Sequence, residues 1–178
     1  MPRSSARIEV CFRWSNEALR RFMTNASLRI FLFAAVLLFS MLAAAASPPY
    51  DETADAKAQI LAALTEASRT RVPVLVVFGA NWCADCKVLD LAFKEGASAP
   101  LIAKSFKVVK VNVGRFDRNT DIADAYGVPL KEGIPAVAVL SPQGKVLYAT
   151  KAGELADARS MGDQGIYEFF RKVAAQHG

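Results

Sequence analysis

Cys83 and Cys86 stand in the segment NWCADCK, residues 81–87. At i and i+3 on a helix, two thiols lie on the same face. That spacing closes a small disulfide without unfolding the helix. The segment follows a buried strand pattern and a turn, so Cys83 falls at a helix N-terminus. Unsatisfied backbone N–H groups and the helix dipole there favour a thiolate, the species that attacks disulfides. Cys83 therefore reads as the nucleophile. Cys86, one turn further in, reads as the thiol that resolves the mixed disulfide. Two other readings of the pair stand beside this one. An inert structural disulfide is the first, although so short a loop removes little entropy from the unfolded chain. A zinc or copper site is the second. Two Cys and the lone His177 do not supply four ligands, although a dimer sharing four thiolates would. The exchange reading needs no bound cofactor and no metal.

The elements that must position the pair follow from periodicity. VLVVF (74–78) is a continuous apolar run, suited to a strand covered on both faces, and Phe78 reads as core. Gly79-Ala80-Asn81 is a turn, and Asn81 is expected to cap a helix running from Cys83 to about Glu95, which Gly96 ends. Residues 54–69 place Ala56, Ile60, Leu64 and Ala67 at helical spacing. Residues 101–105 give a helical turn, 106–113 a strand, 121–126 a short helix, and 136–140 and 145–150 a hairpin. The stretch 153–165 reads as loop, and 166–176 as a closing helix with Ile166, Phe169, Phe170 and Val173 on one face. The order βαβ, helix, hairpin, helix predicts an α/β domain with a mixed central sheet and helices on both faces.

The chain has 178 residues, 22 Lys+Arg, 17 Asp+Glu and one His. It is too apolar for disorder, and its single His argues against a His-based triad. The net charge of +5 invites a nucleic-acid reading, but residues 1–46 hold six Arg against two Glu, leaving +1 for the rest. Lys104, Lys107 and Lys110 read as a solvated face, so no nucleic-acid partner is expected. Within 1–46, the run 30–46 is apolar except for Ser40 and ends in Ala43–Ala46 before Ser47-Pro48-Pro49. A basic lead, an apolar run and small residues fit a secretory signal peptide; an uncleaved membrane anchor is the alternative. Met23 is an alternative start, since MTNASLR before the run is a more ordinary signal. Either way Cys11 is left behind, 47–53 becomes an exposed linker, and 54–178 is one domain outside the cytoplasm.

VLVVFGANWCADCK resembles the active-site segment of the thioredoxin superfamily. DAYGV (124–128), then Gly133-Ile134-Pro135, a hairpin and Gly153, is similar to the pattern in which a cis-proline faces the CxxC. The resemblance spans roughly 55–176. It is strongest toward secreted thioredoxin-like proteins with WCxxC, such as the C-terminal domain of the membrane thiol:disulfide interchange protein. It implies a thioredoxin fold with Pro135 as the cis-proline, and Ile134 and Trp82 at the substrate. It further implies a thiol:disulfide oxidoreductase acting on protein disulfides, running in the reducing direction and supplied with electrons by a membrane thiol donor. An oxidase or isomerase, a metal carrier and a non-catalytic binding domain are the alternatives. Departures from the pattern bear on redox tuning. Ala84-Asp85 replaces the usual Gly-Pro, Lys87 follows the pair, and Val77 stands where thioredoxins carry a buried Asp. Deprotonation of Cys86 must then be helped otherwise, by Asp85 or water, although Asp85 reads more simply as a solvated charge. The stretches 114–119 and 154–165 are longer than a minimal thioredoxin needs. They are read equally as partner-selecting loops or as solvated connections.

Overall fold

The computed structural model describes residues 48–178; the signal-like extension, Met23 and Cys11 lie outside the described residues. Helix α1 spans Ala56–Thr70 and is capped by Asp55, whose side chain accepts from the Ala58 N–H at 3.0 Å. Its buried residues Ala56, Ile60 and Ala67 are three of the four expected on the inner face, with Leu64 packed at its margin. Strand β1 (Val74–Gly79) is buried at every position. It is followed by α2 (Ala84–Lys94), α3 (Ala99–Ser105), β2 (Lys107–Asn112), α4 (Thr120–Ala125), a 3-10 turn at Leu130–Glu132, β3 (Ala136–Leu140), β4 (Val146–Ala149) and α5 (Ala158–His177).

The sheet order is β2-β1-β3-β4, with β1 parallel to β2 and antiparallel to β3. This is the mixed sheet that the element order predicts. Alternation along β1 divides the core. Val74, Val76 and Phe78 pack in one layer with α1 and α4, and Leu75 and Val77 in the other with α2, α3 and α5. Both faces of the strand are therefore apolar, which is why its sequence is an unbroken hydrophobic run.

Four expectations change. Residues 154–165 are not a free loop, because a helical turn starts at Ala158 and, after a break at Gly162 (φ +63°, ψ 177°), the last part of α5 runs on to His177. Gly162 does interrupt the helix, and the turn before it is held by the buried Ala158 and Leu155. The segment 47–53 is not merely an exposed linker, because Tyr50 is 1% exposed and belongs to the core. Lys110 is not a solvated charge. Its ammonium pairs with Asp90 across β2 and α2, and its own burial lowers its pKa. Lys107 pairs with Glu66 at 2.6 Å, so of the three lysines only the exposed Lys104 has no ion pair among the described residues. Among the described residues no helix is long and apolar enough to cross a membrane.

Phe170 is fully buried and meets Phe93 edge-on at 4.9 Å and Phe169 at 5.0 Å. Phe170→Ala is expected to lower unfolding free energy by about 3–5 kcal/mol through lost burial and a residual cavity, read from urea denaturation midpoints.

Candidate active site

β1 ends at Gly79, and the chain turns through a Cys83 N–H bond to the Ala80 carbonyl (3.2 Å) before α2 begins. Cys83 is the N-cap of α2, with extended φ/ψ of −76° and 117°. Its Sγ accepts from the Cys86 backbone N–H at 3.1 Å, the place an oxygen cap normally fills. Cys83 and Cys86 form a disulfide with their Cα atoms 5.2 Å apart, and both are buried. On reduction, the N-cap position aims a free backbone donor and the positive end of the helix dipole at the Cys83 sulfur. Both stabilise a thiolate there.

The Ile134–Pro135 peptide is cis, and both residues are buried. The Ile134 carbonyl oxygen lies 3.5 Å from Cys83 Sγ, within reach of a reduced thiol as donor. Gly133 precedes them with φ +115°, and a side chain there would meet the Ala156 methyl at 2.6 Å, so only glycine fits this approach. Pro135 and Ile134 are thus brought to the disulfide from the far side of the β1–β3 pair.

Trp82, next to Cys83 in the chain, is 49% exposed. Its indole N–H donates to the Gly114 carbonyl at 2.7 Å. Phe116, itself exposed, meets its ring edge-on at 6.0 Å, and the Arg115 guanidinium lies 5.9 Å from the ring centroid. The stretch 114–119 is therefore part of the surface around the pair. It is held by Asn119 donating to the Asn112 carbonyl (2.8 Å) and by the Gly114 N–H on the Asn112 side chain (3.0 Å).

Ala84 and Lys87 are exposed on the first turn of α2, but Asp85 is not a solvated charge. It is 8% exposed and accepts from the Arg159 backbone N–H at 3.0 Å and from its guanidinium at 3.2 Å. Burial pushes its carboxyl up, but those Arg159 bonds outweigh burial and hold it below the usual aspartate range. Its charge is spoken for by α5, which removes it as a free base for Cys86. Val77, where a buried carboxylate was absent by sequence, is 2% exposed and packs in the opposite layer from Cys86.

Asn81 does not cap α2. Its amide spans the backbone of Tyr50, accepting from the Tyr50 N–H (3.0 Å) and donating to the Tyr50 carbonyl (2.8 Å), with a further bond to Glu52 (2.9 Å). Sequence reasoning missed Tyr50 and Arg159. A single aromatic after Pro-Pro has no periodicity to mark it, and Arg159 sits in a polar stretch without a helical stripe. Among the described residues no group of three or more His, Cys, Asp or Glu is placed to hold a metal ion.

Comparison with known proteins places this geometry. A family model of thioredoxin-like proteins matches residues 55–142. The thioredoxin of Acidithiobacillus ferridurans is 35% identical over 95 residues, 53% of this chain and 79% of that protein. The thioredoxin of Griffithsia pacifica is 37% identical over 81 residues, 46% of this chain and 67% of that one. The crystal structure of a disulphide isomerase from Xylella fastidiosa Temecula1 is 55% identical and superposes with a TM-score of 0.70, covering 72% of this chain and 98% of that chain.

Asp85 supplies a pH test. A carboxyl whose folded pKa is depressed stabilises the fold fully above the unfolded value and loses that contribution as pH falls through the folded one. Asp85→Asn is expected to cost roughly 1–2 kcal/mol at neutral pH, the worth of hydrogen bonds to a charged acceptor with a half-solvated partner. Urea denaturation should show that gap beginning to close as pH falls below about 4, the unfolded value, and vanishing only at the lower pH where folded Asp85 takes up its proton.

Proposed function

Because the chain belongs to the thioredoxin-like family and is a thiol-disulfide oxidoreductase, we propose that it exchanges disulfides with protein substrates outside the cytoplasm, in the reducing direction. The observation that carries this is the Cys83–Cys86 pair capping α2, with the outer sulfur 3.5 Å from the Ile134 carbonyl. An extended substrate segment pairs with backbone beside Ile134 and Pro135 and presents its disulfide to Cys83. The Cys83 thiolate attacks one substrate sulfur, forming a mixed disulfide and releasing the other sulfur as a thiolate. Cys86 then attacks Cys83 Sγ, re-forming the intramolecular disulfide and releasing the second substrate thiolate. Trp82, fixed to Gly114, offers an exposed aromatic face to the substrate next to the reacting sulfurs.

The ionised Asp85 carboxylate between the two cysteines disfavours a neighbouring thiolate and so bears toward the reducing direction, with its pairing to Arg159 and the exposed Lys87 acting against it. A reductase outside the cytoplasm needs a supply of electrons, since that compartment is kept oxidising; a membrane thiol donor fills this role. The basic and apolar lead ending at Ala46 supports export, with 1–46 as signal or anchor and 54–178 as the working domain. The 55% identity to a protein described as a disulphide isomerase favours a second reading, in which the same pair rearranges non-native disulfides.

Insulin reduction with a dithiol donor is expected to disappear in Cys83→Ser. In Cys86→Ala, substrate should accumulate as a mixed disulfide on Cys83, visible on non-reducing gels. Wild-type turnover no faster than that of a variant carrying both Cys83→Ser and Cys86→Ser would refute the enzyme reading. The potential decides direction: a value near about −270 mV marks a reductant and one near about −120 mV an oxidant. Faster recovery of activity from scrambled ribonuclease than from reduced ribonuclease would favour the isomerase.

A further inference from the structure

Tyr50 is a buried phenol that the exchange mechanism above does not use. It stands ahead of α1, on a strap fixed by the Asn81 amide at both its N–H and its carbonyl. The Arg118 guanidinium adds a bond to the Glu52 carbonyl at 2.9 Å. The side chain runs under the end of β1. A methyl placed on Gly79 would meet the Tyr50 hydroxyl oxygen at 2.2 Å and Cys86 Sγ at 3.0 Å, so both atoms crowd the space that glycine leaves empty. Burial raises the phenol's pKa, which keeps it a protonated donor and no base. The ionised groups around Cys86 are otherwise engaged. Asp85 is held by Arg159, Glu52 by Asn81 and Asp51 by Thr53, while Lys87 is exposed. α1 presents Ala56 and Ile60, both apolar, to this layer, and Val77 packs in the other.

We propose that Tyr50 is a positioning residue for the second step: its hydroxyl donates a hydrogen bond to the Cys86 thiolate as that thiolate attacks the mixed disulfide. The inference rests on the exchange reading. In the step, the Cys86 proton leaves to water and Tyr50 keeps its own. The Cys86–Cys83 S–S bond forms, the bond from Cys83 to the substrate sulfur breaks, and the substrate sulfur leaves with the electron pair as a thiolate. A neutral donor at this point has the opposite sign to a buried carboxylate. It lowers the pKa of the resolving thiol, where a negative charge raises it.

The test is rapid mixing of the fully reduced chain with one equivalent of an aromatic disulfide whose released thiolate is coloured. The first coloured thiolate reports attack by Cys83 and the second reports resolution by Cys86. In Tyr50→Phe the first phase should keep its rate. The second should slow about tenfold at neutral pH, with its inflection moved up by about one pH unit, the loss of one charge-assisted hydrogen bond. Tyr50→p-aminophenylalanine, which restores an N–H donor on a ring of nearly the same size, should recover the second phase. An unchanged second phase in Tyr50→Phe overturns the proposal, as does equal slowing in both variants, which would mark a packing role alone. Absence of a second phase in the wild type would instead overturn the exchange reading on which it rests.

Discussion

The register between β1 and β3 is the constraint on which the site depends. Phe78 pairs with Ala136, so Ile134 and Pro135, the two residues before Ala136, arrive beside the turn that follows Gly79. That turn is where α2 starts and where Cys83 becomes an N-cap. A slip of one residue would send every side chain of β1 to the opposite face. The strand tolerates no slip because its two faces pack in different layers, Val74, Val76 and Phe78 in one and Leu75 and Val77 in the other. Chemistry at the sulfurs is thus inherited from hydrophobic sorting several residues away.

Polar contacts of long sequence reach then lock what the sheet delivers. Asp85 ties the first turn of α2 to the first turn of α5, residues 74 apart, and its burial is tolerated because Arg159 satisfies it. The indole of Trp82 ties the same turn to the loop after β2. Asn81 ties it to the strap before α1. The pair is therefore braced from three directions by segments that the sheet alone does not connect, which holds reacting atoms in fixed geometry.

Much of this was legible from the sequence because it rests on local periodicity. The VLVVF run, the i, i+3 cysteines and the AVAVL strand declare themselves through spacing, and β3 falls at 136–140 as expected. Most other boundaries moved by a residue or two, as caps such as Asp55 and Cys83 took their places, while the start of the last helix moved further, to Ala158. What stayed hidden was pairwise and non-local. Asp85 reads as solvated until Arg159 is known to approach it. Asn81 reads as a cap until Tyr50 occupies its amide. The turn from Ala158 to Met161 reads as loop until buried Ala158 and Leu155 are seen to pack it against the core. Local sequence carries no record of a partner dozens of residues distant, so such contacts emerge only in three dimensions.

The kinked α5 and the strap at Tyr50 bear on where this domain can be cut. The stretch matched by the family model, 55–142, contains both cysteines and Pro135. It excludes Tyr50, Arg159 and the Phe170 that fills one side of the core. A fragment trimmed to that stretch would keep the residues that define the family yet lack β4, α5 and the brace on Asp85. For transplantation into another protein, the smallest transferable unit is therefore set by the contacts of the strap and the last helix, and it is larger than the signature that identifies it.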